Sequence, residues 1–314
     1  MRIKRSPRSA LAACLAACLL GLALQPCAAE GGEPGPLAPA APGRPEPPRP
    51  PEAYAVATSV NWKERSLSIR LELDLGLAGL KMPEARLEAE RMVEKDLPGL
   101  AKDAVFSIQA DSYRSVGDAV ATLWIESEDL LSLASLAKPS GSTFSKDLRK
   151  FVSVYTLSLD DLTTLFLNGA RPSPVRESLQ SMPTRAYSGV IVYAKGDLPV
   201  HGETVAGRAT PCLFPRIYDS DMNLVLDRSV VAPEALSGKD GGGGGVLGYS
   251  DGLGAEAGSR VGADPLRVMA LELFGDSRTD YVISREDALR ILSSPGNREL
   301  LSRGRVVVVL DFQH

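Results

Sequence analysis

The stretch Gly248–Gly252 reads GYSDG and fits G-x-S-x-G, the pattern that holds the nucleophilic serine of many hydrolases on a tight turn. Such a nucleophile needs a buried strand before it, a long helix after it and a histidine base further along the chain. Five consecutive glycines, 241–245, come shortly before the motif, and the histidine that follows it is His314, the last residue. A terminal residue holds its position poorly unless it is docked. The pattern therefore indicates a glycine-rich loop at Ser250 and not a catalytic serine.

A second polar run, Asp219–Asn223, has the D-x-D-x-N spacing of a calcium-binding loop. An EF-hand continues with glycine at the sixth position and glutamate at the twelfth. Those positions hold Leu224 and Val230. Aspartate and asparagine also favour tight turns, because their side chains bond to nearby backbone groups. We therefore predict a hairpin turn without a metal ion.

Other residues that could bind phosphate or metal lack the necessary neighbours. A phosphate-binding loop requires serine or threonine after its lysine, but Asp240 follows Lys239. The sequence has two histidines, His201 and His314, and Cys212 is the one thiol beyond the N-terminal segment. A single thiol can form neither an internal disulfide nor a thiolate cluster. The sequence thus predicts no catalytic, cofactor-binding or metal-ligating residue, and a protein that is not an enzyme.

The first 29 residues have the three parts of a secretory signal peptide. Four basic residues lie among the first eight, an apolar run covers Ala10–Leu24, and small residues end at Ala29. We predict cleavage after Ala29 and export to the periplasm or the outer-membrane periphery. Cys18 and Cys27 are candidate lipidation residues, because Leu15–Cys18 resembles a bacterial lipobox and Cys27 lies near the expected cleavage point. Both processing routes stay open.

Residues 30–53 form a proline-rich segment, with nine prolines in 24 residues. Proline removes backbone donors and favours polyproline II, so we predict a disordered linker. Without residues 1–29 the chain has 31 basic and 39 acidic side chains, a net charge of −8. An acidic chain without basic runs is a poor match for nucleic acid or anionic lipid. We therefore expect no nucleic-acid partner, and contact with a membrane only through an N-terminal lipid anchor.

Residues 54–172 are predicted as an N-terminal α+β region. Apolar and polar residues alternate over Leu67–Leu75, which indicates a strand with one buried face, and Tyr54–Val60 is its expected partner. A helix is expected from Pro83, with Leu87 and Val93 on its buried face together with Ala85, Ala89 and Met92. Further predictions are helices over 100–106, 116–136 and 160–166, a strand over 151–159, and a loop over 138–145.

A second α+β region, 185–314, is predicted after a proline-containing boundary at 168–184. The β-branched run Val306–Leu310 must be covered on both faces, which indicates a central strand. Ser284 is the expected N-cap of a helix from Glu286. Residues 232–245 are predicted as a flexible glycine-rich insertion. The other predicted elements are strands over 188–194, 266–274 and 280–284, and a hairpin that joins 215–219 to 224–226.

Short motifs follow one another in a recognisable order over residues 187–311. They include Pro215–Asp219 (PRIYD), Gly248–Tyr249, Arg260–Pro265 and Val282–Ala288. In this order the region resembles the bacterial cell-envelope proteins related to FlgP, a flagellum-associated outer-membrane lipoprotein. The resemblance implies an exported scaffold or assembly factor, with no catalytic residue to transfer. The insertion at 232–245 and the ambiguous lipobox depart from that family and put outer-membrane anchoring in doubt.

Together these observations predict an exported α+β protein that works as a structural or assembly factor through protein–protein contacts. The expected partners are envelope or flagellar proteins, and self-association is a further expectation. The alternative is a periplasmic binding module for a small molecule or a cell-wall glycan. The two hypotheses differ in whether the chain contacts a protein or a ligand, and the sequence leaves both open.

Overall fold

The computed structural model describes residues 53–81, 84–167 and 171–312. The predicted signal peptide, the linker up to residue 52, Cys18, Cys27, Pro83 and His314 lie outside these ranges. The N-terminal region contains, in chain order, β1 (Tyr54–Asn61), β2 (Ser66–Asp74), α1 (Ala85–Phe106), α2 (Val116–Ala121), α3 (Ser127–Ser135), β3 (Lys138–Phe144), β4 (Lys150–Ser158) and α4 (Leu159–Leu165).

The strands of the N-terminal region form one antiparallel sheet in the order β1-β2-β4-β3. The predicted alternation is confirmed in β2, whose Leu67, Ile69, Leu71 and Leu73 are buried. The predicted partner strand at Tyr54 is also confirmed as β1. The sheet therefore has one face that carries the core and one that carries charged side chains such as Arg70.

Helix α1 covers the buried face, but not as the sequence predicted. Its buried stripe repeats every four residues through Ala85, Ala89 and Val93, with Leu97 and Ala101 continuing it. Leu87 lies off this stripe and is 57% exposed, so its predicted burial is wrong. The predicted break before 100–106 is also wrong, because α1 continues through Pro98. Burial of Leu97 before Pro98 and of Ala101 after it offsets the loss of the hydrogen bond that proline removes.

Two other predictions for this region are wrong. The helix predicted over 116–136 is split into α2 and α3, and Leu123 between them has a φ of 56° and is 89% exposed. The loop predicted over 138–145 is largely strand β3. This strand pairs on one side only and is exposed, so serine, glycine and threonine suffice for it.

The C-terminal region contains β5 (Val190–Tyr193), β6 (Leu198–Pro199), β7 (Ala206–Gly207), β8 (Ile217–Asp219), β9 (Leu224–Leu226), α5 (Pro233–Leu236), β10 (Gly248–Ser250), α6 (Ala255–Val261), β11 (Leu266–Phe274), β12 (Asp280–Ile283), α7 (Arg285–Leu292), α8 (Pro295–Ser302) and β13 (Val306–Val309). Seven of the strands form a mixed sheet in the order β10-β13-β5-β11-β12-β8-β9, and β6 pairs with β7.

The four valines of β13 are buried between two neighbouring strands, which confirms the predicted central strand. Ser284 caps α7 by accepting the N–H of Asp287 at 3.0 Å, also as predicted. The loop predicted at GYSDG is wrong for its first three residues, because Gly248–Ser250 form β10 parallel to β13. The larger hydrophobic core runs through both regions and includes Leu67 and Val190, and a smaller cluster around Val307 and Val309 packs against α6. The fold is thus α+β, as the sequence predicts.

Candidate functional site

Ser250, the candidate nucleophile of the GYSDG motif, is buried at the end of β10 and bonded within its own turn. Its Oγ donates to the carbonyl of Gly252 at 2.7 Å and accepts the N–H of Gly252 at 3.2 Å. His201, the histidine within the described residues, lies instead beside Glu272, with Nδ1 2.5 Å from Oε2. Among the described residues, His201 is therefore not placed as a base for Ser250.

The polar run at Asp219 closes the hairpin between β8 and β9. The Oδ1 atom of Asp219 accepts the backbone N–H groups of Asp221 and Asn223 at 2.9 and 2.8 Å. Backbone donors therefore occupy the oxygen that a calcium ion would need. Among the residues that the structure describes, no three His, Cys, Asp or Glu side chains are grouped as a metal site would require.

The most strongly perturbed side chains lie inside the C-terminal region. The hydroxyl of Tyr249 donates to the carbonyl of Cys212 and accepts its N–H, both at 3.0 Å. Burial raises the pKa of the Cys212 thiol to about 12 and that of the Asp280 carboxyl to about 7. Asp280 accepts the backbone N–H of Arg216 at 2.9 Å and is fully buried. These three side chains are therefore packed inside the C-terminal region, away from solvent.

The glycine-rich segment within the predicted insertion 232–245 has a specific partner. The guanidinium of Arg260 donates to the carbonyls of Gly243, Gly244 and Gly245 at 2.9–3.0 Å and to that of Gly304 at 2.7 Å. Burial, with Arg65 nearby, lowers the pKa of Arg260 to about 10. The predicted flexibility of this segment stays a prediction, but three of its carbonyls are held by one buried side chain.

The same glycines pack against an ion pair of the N-terminal region, formed by Arg65 and Asp160. Arg65 Nε lies 2.5 Å from Asp160 Oδ1, and Arg65 is 6% exposed. A Cβ at Gly244 would lie 1.9 Å from Asp160 Oδ1, and a Cβ at Gly245 would lie 2.5 Å from Arg65 Nη1. Glycine is therefore required here, because it lets the backbone approach the buried pair closely.

A second set of contacts joins the two regions at residues 109–115. Leu213 N donates to Gln109 O at 3.0 Å, and Phe214 N donates to Ala110 O at 2.9 Å. Ser277 N donates to Ser112 O at 3.0 Å. These bonds and the Arg65 contacts together form what we call the junction. The junction joins the two regions within the chain, so contact with other molecules requires an exposed feature.

That exposed feature is the free side of β1, which we call the β1 edge. Within the described residues strand β1 pairs with β2 alone, and the N–H of Asp74 donates to the carbonyl of Ala53 at 2.9 Å. Directly opposed pairs alternate between bonded and non-bonded in an antiparallel ladder. Because Ala53 and Asp74 are a bonded pair, the non-bonded positions of β1 direct both N–H and C=O away from β2. Those positions are Tyr54, Val56, Thr58 and Val60.

The side chains of the β1 edge, like its backbone, do not hinder pairing with a further strand. Its sequence, YAVATSVN, contains no charged residue and no proline. Residues 55–59 are exposed, and Val56 is 42% exposed although it shares a face with buried Leu71. The hydroxyl of Tyr54 donates to Asp96 of α1 at 2.9 Å and ties that end of the strand to the helix layer.

A cleft of about 570 Å³ lies at the other end of β1. We call it the Trp62 cleft; its lining includes Val60, Trp62, Thr210, Pro211 and Phe312. The Trp62 ring meets Tyr249 edge to face, with ring centroids 6.0 Å apart. Because residues 59–61 of β1 also line the cleft, the β1 edge and the Trp62 cleft form one continuous surface.

Two models of known protein domains match the chain. Residues 53–165 match the N-terminal domain of Treponema pallidum Tp0624, and residues 189–312 match its second domain. The chain is similar to the first two domains of Tp0624. No curated protein matches it significantly. Neither domain match is to the FlgP-related proteins, so that resemblance stays a prediction.

The two Tp0624-like regions meet at the junction. Arg65, Asp160 and Gln109 lie in the first matched range, and Arg260 and Leu213 lie in the second. The descriptions of the matching domains name no activity, so the comparison gives the chain a family likeness without a reaction. No helix of the described residues is long and apolar enough to cross a bilayer.

Sequence reasoning identified β1 as a strand but not as an open edge. It assigned no role to the residues between β1 and β2, where Trp62 lines a cleft and Arg65 is buried in the junction. The absence of charge over Tyr54–Asn61 was the available signal, since exposed edge strands normally carry charge or proline. Arg260 had no comparable signal, because its role depends on carbonyls 15 to 17 residues away.

Proposed function

We propose that this protein is an exported, non-enzymatic component of the cell envelope that works by binding other proteins. The observation that carries the proposal is the β1 edge. It has eight uncharged residues, and the outward backbone groups of four of them have no partner strand among the described residues. An extended polypeptide can add to such an edge as a further strand, with main-chain bonds supplying affinity. The adjoining Trp62 cleft offers a place for a side chain of the added strand, which would supply specificity.

The remaining chemistry of the chain is consistent with contact rather than turnover. Ser250 is bonded within its turn, and Asp280 and Cys212 are buried away from solvent. The basic and apolar leader of residues 1–29 supports export. A proline-rich tether of residues 30–53, with or without a lipid at Cys18 or Cys27, would hold the folded part at a distance from the membrane.

A complementation experiment in the native bacterium tests this proposal. We expect deletion of the gene to impair motility or envelope assembly, and wild-type protein to restore it. Val56→Pro should fail to restore the phenotype, because proline there removes an outward N–H without breaking the β1–β2 ladder. Photo-crosslinking from position 58 in living cells should give a discrete protein adduct.

Strand β3 supplies the matched control. The bond from Ser145 N to Lys150 O places Ser142 at an outward position of β3, so Ser142→Pro removes an equivalent donor. We expect Ser142→Pro to restore the phenotype and position 142 to give no discrete adduct. Full restoration by Val56→Pro together with no adduct at position 58 would overturn the proposal.

The second candidate function, a binding module for a small molecule or cell-wall glycan, is favoured by the Trp62 cleft. Sugars stack their apolar faces on aromatic rings, and Trp62 and Phe312 both line this cleft. Cell-wall fragments that raise the melting temperature of the wild type but not of Trp62→Ala would favour this candidate. Absence of any such shift would favour protein contact.

A further inference from the structure

We infer that the β1 edge pairs with β1 of a second copy of this chain, antiparallel about a two-fold axis at Ala57. The inference rests on the proposed function and names the partner at the same surface. Pairing of this kind would join two four-stranded sheets into one eight-stranded sheet across the axis. Each copy contributes the same strand, so the interface is isologous and closes at two copies.

The register follows from which backbone groups point outward. With the axis at Ala57, Val56 faces Thr58 of the second copy and Tyr54 faces its Val60. All four are outward positions, so every free N–H of one strand meets a free C=O of the other. Tyrosine against valine and valine against threonine are favourable cross-strand pairs, because aromatic and β-branched side chains pack well on a pleated surface.

The outer face of β1 also permits this pairing. Ala57 would face Ala57 across the axis, and Ala55 would face Ser59. These side chains are exposed, and they are too small to obstruct a second strand. No charged side chain of β1 would lie opposite a like charge, since the strand carries none. Val56, which α1 leaves partly exposed, would be covered by the second copy.

Other occupants from this chain fit the edge less well. The proline-rich segment that precedes β1 has nine prolines in 24 residues and so lacks many of the donors a ladder needs. Strand β3 carries Pro139 and a register shift between Pro139 and Gly141, which disfavours a β1–β3 ladder between copies. The remaining sheet edges in the described residues, β6, β7, β9 and β10, are two or three residues long.

Charge placed on the axis tests the pairing directly. In Ala57→Lys, two ammonium groups would face each other in the dimer, and in Ala57→Glu two carboxylates would do so. By sedimentation equilibrium of the purified protein we expect a wild-type dimer and a dissociation constant raised about fivefold or more in each variant. An equimolar mixture of the two variants should recover the wild-type affinity as a mixed dimer.

Two controls separate pairing from folding. Thr143→Lys and Thr143→Glu place the same charges on β3, on the same outer face of the sheet as Ala57, and should leave the dissociation constant unchanged. Melting temperatures of all variants should stay close to that of the wild type. Ala57→Glu also lies opposite Arg70 of β2, so its own fold is not expected to suffer.

The possible outcomes decide between the two proposals. A wild type that stays monomeric at its highest soluble concentration, or a dimer that charges at Ala57 do not weaken, would overturn the self-pairing. If position 58 nevertheless cross-links to a different envelope protein in cells, the proposed function stands with another partner. If position 58 gives no adduct and the purified protein is monomeric, both proposals fail.

Discussion

The two outer strands of the N-terminal sheet are of similar length and differ in how they end the sheet. Strand β1 has eight residues without charge or proline. Every second residue, four in all, directs both its N–H and its C=O away from β2. Strand β3 has seven residues and carries Lys138, Pro139 and a register shift before Gly141. Natural sheets use lysine, proline and bulges to block edge-to-edge association. The sheet is therefore guarded on one side and open on the other.

This asymmetry has a consequence for assembly. A sheet with one open edge can pair once and then stops, which gives a closed dimer. A sheet open on both sides could continue pairing into a ribbon of many copies. The guarded β3 edge thus complements the open β1 edge, since it limits how many copies the β1 edge can bring together. The following changes break or sharpen this comparison.

Among the substitutions in β1, the largest effect is expected from proline at an inward position. Ala57 belongs to a bonded pair with Arg70, so Ala57→Pro removes a bond inside the β1–β2 ladder. We expect the free energy of unfolding to fall by about 2 kcal/mol or more. Urea unfolding followed by circular dichroism measures this change.

Val56→Pro is the matched substitution one residue away. Its N–H points outward, so we expect a loss of about 1 kcal/mol or less in stability. Association, by contrast, should weaken strongly, because the second copy loses a bonding partner on each side of the axis. Equal destabilisation by the two prolines would contradict the alternation on which the β1 edge is defined.

A pH-dependent effect should separate the buried interior of the C-terminal region from the β1 edge. Burial raises the pKa of Asp280 from 3.8 to about 7, with Arg216 opposing the rise and Asp111 adding to it. Between about pH 4 and pH 7 the folded chain therefore binds a proton that the unfolded chain does not. The free energy of unfolding should fall as pH rises through this range, by about 4 kcal/mol at most, and level off above it.

Asp280→Asn should remove this contribution, because the amide is neutral and keeps an oxygen for the N–H of Arg216. Urea unfolding at pH 5 and pH 8 compares the two proteins. Dimer formation through β1 should not change over the same range, since the strand has no carboxylate, histidine or lysine. A wild type whose stability rises from pH 5 to pH 8 by as much as that of Asp280→Asn would contradict the assignment.

The strands whose burial leaves a regular pattern in the sequence were predicted, and the strands that depend on a distant partner were not. The alternation of β2 and the continuous valines of β13 were sufficient, because burial on one face or on both faces leaves a period in the sequence. Strand β3 was missed because its serines, glycine and proline are typical of loops, and only pairing with β4 makes it a strand. Gly248–Ser250 was missed for the same reason, since β13 supplies its partner from 59 residues away.

The candidate site was predictable only in part. The strand at Tyr54–Val60 followed from the sequence, but its position at the edge depends on strand order, which local composition does not encode. The cleft at Trp62 depends on Pro211 and Phe312, which lie more than 140 residues further along the chain. Long-range pairing, rather than any motif, creates the surface that we propose as functional.

The smallest effect is expected from opening the guarded edge. Lys138→Thr with Pro139→Thr removes two of the features that block β3, but the register shift before Gly141 remains and only Ser142 and Phe144 point outward beyond it. In the Val56→Pro background, where β1 is blocked, we therefore expect at most a weak dimer. With wild-type β1, the same double substitution should produce species larger than a dimer, because both sides of the sheet can then pair. Sedimentation velocity distinguishes these cases, and strong association through β3 alone would show that the register shift, the lysine and the proline are not what keeps this edge unpaired.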